Sequence, residues 1–246
     1  MIAPGKPTGG TMNAERATQA PALLPRIRGF LGRRFRPRRM RLFLGTFQVT
    51  PDHRIIDVGG YIPDWKDVQP QPQVLVVNLE PMERRKGSIR KVQGDGRRLS
   101  WPDGSFDIAF SNSVIEHAGG WEDQQAFARE VARVARGYFV QTPNRWFPIE
   151  PHTLAPFIHF LPAAWQPWLV RRFSVWAWLV RPTPEQVAAF LSGIRLLDAA
   201  EMRRLFPDAT IVRERFCGLT KSIIAIRNPG PGAPAVIRRA GPPAHN

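Results

Sequence analysis

Three short clusters in the first hundred residues have the types and spacing for ligand chemistry. In Asp57-Val58-Gly59-Gly60 an acid precedes two glycines, whose backbone can take positive φ and let a ligand approach bare main chain. About twenty residues on, Asn78 and Glu80 offer an amide and an acid suited to ribose hydroxyls. Gly94-Asp95-Gly96 sets a carboxylate in a glycine-flanked turn, where it can accept from an exocyclic amine such as that of adenine. Glycine turn, ribose group, amine acceptor: this order describes a nucleoside carrying an amino-acid tail. No third glycine completes the dinucleotide spacing G-x-G-x-x-G, which argues against a pyrophosphate and a nicotinamide dehydrogenase.

The elements that must position these groups alternate. Ile55, Ile56 and Val58 suit a strand over 54–58 that is covered on both faces. Residues 62–65 replace a long helix with something short, and 74–79 form a second buried strand. Residues 106–110 form a third, ending at Ser111-Asn112-Ser113. A helix over 122–136 buries Phe127, Val131 and Val134, with Gly137 as its cap before a fourth strand at 138–140. Such alternation predicts a parallel, doubly wound α/β sheet. Residues 143–181 break the rhythm with many prolines and five of the eight tryptophans, and read as a helical insertion covering the site. Helices near 184–192 and 198–206 and a strand pair near 209–216 and 221–227 follow.

The 246 residues fit one decorated domain. The lone Cys217 excludes an intramolecular disulfide and fits a reducing, cytosolic setting. The start of the chain lacks a secretory signal's apolar run. The uncharged run 154–170 is too short, and too broken by Pro156, Pro162 and Pro167, to span a membrane. The net charge of +15 is uneven: residues 1–50 hold ten basic side chains against Glu15. Residues 1–22 read as a disordered arm, 23–48 as one or two basic amphipathic helices broken at Pro37, and 228–246 as a flexible tail. The basic arm has three readings: it is a solvated face, it packs on the domain edge, or it meets nucleic acid or an anionic membrane.

The clusters also carry a resemblance. Asp57-Val58-Gly59-Gly60, Asn78-Leu79-Glu80-Pro81, Gly94-Asp95, Trp101 to Asp107, and Ser113-Val114-Ile115-Glu116-His117 are similar to the class I S-adenosylmethionine-dependent methyltransferases. Within them they most resemble the type 11 branch, and Thr142 to His152 resembles a bacterial subgroup of it. The resemblance implies a Rossmann-like, mostly parallel sheet over 49–227, with the tryptophan-rich insertion and a C-terminal antiparallel strand pair. It implies S-adenosyl-L-methionine as cofactor. Asp57, Gly59, Gly60 and Tyr61 would line its methionine end, Asn78 or Glu80 the ribose, Asp95 and Gly96 the adenine, and Ser111 and Asn112 the sulfonium.

Methyl transfer from a sulfonium needs alignment and a dry site, and a base only for a weak nucleophile such as a hydroxyl. His117 and His152 are the candidates for that base, each with packing as its plainer role. His53, His159, Glu116 and Glu150 read as structural or solvated, and no cluster has metal-ligand spacing, so no metal is expected. Tyr61, Trp65 and the tryptophans of the insertion form either a lid with its own core or an apolar groove for a lipid-like acceptor. The resulting expectation is a methyltransferase acting on a small-molecule or lipid-like acceptor, with peripheral membrane contact through 23–48 and 160–180. An RNA-modifying enzyme is less favoured, since no RNA-binding module is recognisable. The contrasting reading is a non-catalytic relative of the fold that binds membrane or RNA through its basic arm.

Overall fold

The computed structural model describes residues 23–81 and 83–230. The proposed arm at 1–22 and the tail from 231 onward lie outside the described residues. Contact density divides the chain into two units. One comprises 39–147 with 192–246 and the other 1–38 with 148–191.

The first unit is an eight-stranded sheet. Its strands are β1 (Arg54–Val58), β2 (Gln73–Asn78), β3 (Arg84–Lys86), β4 (Ile89–Gln93), β5 (Phe106–Asn112), β6 (Ala135–Pro143), β7 (Thr210–Phe216) and β8 (Leu219–Arg227), ordered β3-β4-β2-β1-β5-β6-β8-β7. β4, β2, β1, β5 and β6 run parallel, while β3, β8 and β7 join antiparallel to their neighbours. The two-residue side-chain period sends alternate residues to opposite cores. Ile55, Ile108 and Phe139 pack with Phe43, Trp65 and Phe110, whereas Ile56, Ala109 and Tyr138 pack with Phe127, Val131 and Phe206. Helix α1 (Leu23–Phe47) supplies Phe43 and Phe47 to the first core. Helices α2 (Trp121–Val134) and α6 (Ala199–Leu205) cover the second.

Three expectations are corrected here. Pro37 does not break α1, which runs unbroken through it. A proline disturbs only the bond and carbonyl one turn back, and beyond it Arg39, Phe43 and Phe47 are all buried. Gly137 does not cap a helix but lies within β6, where a Cβ would press on the Arg227 carbonyl and the Phe47 ring at 2.9 Å. The third strand in sequence is β3, not 106–110. β3 and β4 escaped notice because Arg84-Arg85-Lys86 is wholly exposed and Arg90, Lys91 and Gln93 interrupt the apolar run of β4.

The second unit holds helices α3 (Gln166–Phe173) and α4 (Val175–Val180) and most of α5 (Pro184–Ser192). Its core is small: Ala155, Ile158, Val170, Ala177 and Val187, with Leu169, Trp176 and Leu191 against it. Glu150 organises the entry. Its carboxylate accepts from the amide and hydroxyl of Thr153 at 2.5 and 2.7 Å and meets His152 Nδ1 at 2.6 Å. Burial pushes Glu150 up, but His152 and Thr153 outweigh it and pull the group down to about 2. Among the described residues no helix is long and apolar enough to cross a membrane.

Candidate functional site

From β1 the chain winds outward to β2 and β4, then returns across β1 to β5. The strand order therefore reverses between β1 and β5, and open α/β sheets bind ligands in the crevice at the carboxyl ends there. A cleft of about 400 Å³ opens at that point, within the range of roughly 300–1,000 Å³ usual for small-molecule sites. Gly59, Tyr61, Asn78, Asp95, Gly96 and His117 all line it. Asp57, Gly60, Glu80, Ser111 and Asn112 lie around it without lining it, and His152 belongs to the other unit, paired with Glu150.

The turn after β1 is tightly built. Gly59 holds φ +82° with the Val114 side chain packed where a Cβ would stand. A Cβ on Gly60 would overlap the Asp57 carboxylate. Asp57 is buried, and Trp65 Nε1 donates to its Oδ2 at 2.6 Å while Oδ1 has no hydrogen-bond partner. Burial pushes Asp57 up to about 7, against the Trp65 bond and with help from the charge of Asp64. Asp57 thus braces the turn from beneath.

The polar groups further along are engaged with one another. Asn78, the last residue of β2, donates to the carbonyls of Gly59 and Gly60 at 3.4 and 3.1 Å and accepts from the Glu80 amide at 3.3 Å. Glu80 pairs with Lys91 Nζ at 2.6 Å, and that ammonium sits 5.7 Å from the Tyr61 ring centroid. The backbone amide of Arg97 donates to Asp95 Oδ1, and its guanidinium bonds both carboxylate oxygens. These contacts hold the Asp95 carboxyl below the usual carboxylate range. Arg97 also reaches Asp123 Oδ1 at 3.0 Å, tying the turn to the start of α2. Ser111 Oγ donates to the Val58 carbonyl at 3.0 Å, holding β5 to β1.

Sequence reasoning missed a buried arginine beside this edge. Arg39 donates to Asn112 Oδ1 at 2.9 Å, Gln141 Oε1 at 2.8 Å, Ser222 Oγ at 3.1 Å and Glu214 Oε2 at 2.6 Å. Asn112 is therefore occupied at the carboxyl end of β5. A signal existed: Phe35, Arg39, Phe43 and Phe47 recur every four residues and all four are buried, so Arg39 stands in an apolar stripe. Arg97 and Ser113 also line the cleft and were not singled out. Ser113 takes φ +58° and its hydroxyl donates to Gln141 Oε1 at 3.0 Å.

The strand order and the cleft at its reversal define a Rossmann-like α/β fold with a ligand-binding crevice. Residues 67–140 match the family described as a methyltransferase domain. The chain is 26% identical over 161 residues to the uncharacterized methyltransferase YcgJ of Bacillus subtilis, covering 60% of this chain and 62% of YcgJ. The chain thus spans less than two thirds of that relative's length. Among solved structures, the PH0226 protein of Pyrococcus horikoshii is similar with a TM-score of 0.48 and 13% identity, over 78% of this chain and 87% of that one. The structure of YcgJ is similar with a TM-score of 0.41 and 17% identity, over 78% and 99%.

The cleft fits a nucleoside cofactor such as S-adenosylmethionine. Gly94 and Gly96 give it a floor of bare main chain: a Cβ on Gly96 would stand 2.6 Å from Val58 and 2.7 Å from Phe127. With Val77, Val114 and Phe127 as walls, the space suits a flat aromatic group reached by main-chain donors and acceptors.

Proposed function

We propose that the chain is an S-adenosylmethionine-dependent methyltransferase acting on a small-molecule or lipid-like acceptor. The observation that carries this is the glycine-floored cleft at the reversal of strand order, which Asp95, Gly96 and Gly59 all line. The cofactor, when bound, supplies a methyl group already activated on a sulfonium. The residues then have to hold and align. Gly59 and Tyr61 would hold the amino-acid tail, Asn78 at the tip of β2 the ribose, and Asp95 with Gly96 the adenine edge. Phe127 and Val58 pack beneath Gly96 and back the floor with apolar surface. His117, on the cleft wall, is placed to take a proton if the acceptor is a hydroxyl. The exposed Cys217 fits a cytosolic setting.

One observation favours the non-catalytic reading. Arg97 engages both oxygens of Asp95, so an adenine amine must compete with a guanidinium for the same carboxylate. Calorimetry with S-adenosylmethionine decides between the two. The enzyme reading expects micromolar binding by the intact protein, weakened at least tenfold in Asp95→Ala and tightened in Arg97→Ala. Failure of the intact protein to bind would sink it.

A further inference from the structure

We propose that α3 and α4 dock the protein on an anionic lipid surface. The stretch 151–184 contains no Asp or Glu, while it carries Arg171, Arg172 and Arg181. Trp165, Trp168, Phe173 and Trp178 are 63%, 67%, 55% and 61% exposed. Trp168, Trp178 and the three arginines line an open bowl of about 580 Å³. The nearest acid in sequence beyond the bowl, Glu185, is exposed and held below the usual carboxylate range by hydrogen bonds from its own amide and Thr183, with the Arg171 charge adding to them.

Two physical demands select the occupant. Trp168 and Trp178 are exposed together in the bowl, although large apolar side chains grouped on a protein surface ordinarily have something to cover them. Tryptophan rings prefer the headgroup level of a bilayer, where an apolar body and a polar N–H are both accommodated. The guanidiniums then need anions at the same depth, and anionic headgroups supply them in a plane. A protein partner would have to present acids and an apolar pocket at matching positions, whereas a charged bilayer offers both everywhere. The face is also locally firm: Trp178 Nε1 donates to the Arg172 carbonyl at 2.8 Å, and Ser174 Oγ caps α4 by accepting from Ala177 N at 3.3 Å. This inference stands apart from the methyl-transfer reading, and its test contains no cofactor.

The test is partition of the intact protein onto phosphatidylcholine vesicles with and without phosphatidylglycerol, followed by flotation. Wild type should float with the anionic vesicles and not the neutral ones. Arg171→Gln/Arg172→Gln should lower the partition coefficient about 25-fold, from roughly fivefold per arginine near such a surface. Trp168→Ala/Trp178→Ala should lower it at least tenfold at unchanged salt dependence. The exposed pair Arg36→Gln/Arg38→Gln reports on the N-terminal arm. Loss in that pair with none in either bowl variant would overturn the proposal, as would failure of wild type to float. A dimer dispersed by the bowl variants, or a monomeric short-chain phosphatidic acid lost by them while vesicle partition stays unchanged, would overturn it too.

Discussion

The two units handle aromatic side chains in opposite ways. In the sheet unit Phe43, Trp65, Phe110 and Phe139 are sealed into one cluster, with Trp65 5.9 Å from Phe43 and 5.3 Å from Phe110. In 148–191 the core is Ala155, Ile158, Val170, Ala177 and Val187, and most of the large rings stand outside it. Aromatic area is the largest apolar contribution a side chain can make. The sheet unit spends it on cohesion, and the helical unit leaves it available. Polar groups follow the same division. Arg39 and Asp57 are buried and bonded within the sheet unit, while Arg171 and Arg172 are exposed.

The contrast can be broken at either end. Trp65→Ala should cost about 3–5 kcal/mol in denaturant unfolding, the range for emptying a fully buried aromatic site. A cost below about 1 kcal/mol would mean the aromatic cluster is not what holds the sheet unit together. Arg39→Met should cost about 3 kcal/mol, the low end for removing one partner of a buried ion pair. Lys221, 4.0 Å from Glu214, remains to offset part of the loss. Gly60→Ala forces the turn away from Asp57 and should cost about 1–3 kcal/mol by overpacking, with cofactor binding weakened more than the fold.

Asp57 sharpens the comparison through pH. Its folded pKa near 7 lies above the ordinary 3.8, so the folded chain keeps a proton that the unfolded chain releases. Its contribution to stability is therefore complete below about pH 4 and declines as pH rises towards 7. The slope is at most about 1.4 kcal/mol per pH unit. Asp57→Asn should remove that slope, and unfolding curves at pH 4, 6 and 8 that fall in parallel for both proteins would refute the burial argument. Smallest of all, Trp168→Ala should change stability by no more than about 0.5 kcal/mol. A larger loss would mean that this ring supports the helical unit.

Much of the fold was readable because it rests on local regularities. β1, β2, β5 and β6 are apolar β-branched or aromatic runs, and α2 repeats its buried positions at helical spacing, which a linear sequence displays directly. The glycine turn was equally legible, since Gly59 and Gly60 do what only glycine does cheaply. The engagement of the polar side chains was not. Asn78, Glu80 and Asp95 were recognisable as ligand-type residues, yet their partners are Gly60, Lys91 and Arg97.

By itself the sequence determined the alternating α/β plan, the order of the three ligand clusters and the acid-free, arginine-bearing run of tryptophans. Each is set by the types and spacing of residues that neighbour one another along the chain. Tertiary structure alone decided that Arg39 reaches Glu214, 175 positions away, and that Asp57 rests under Gly60 beside Trp65. It also made strands of the charged segments 89–93 and 84–86, the first through pairing with β2 and the second through pairing with β4, rather than through their own propensity. Such contacts depend on which surfaces folding brings together. Hydrogen bonds and charges act over a few ångströms, whatever the separation in sequence.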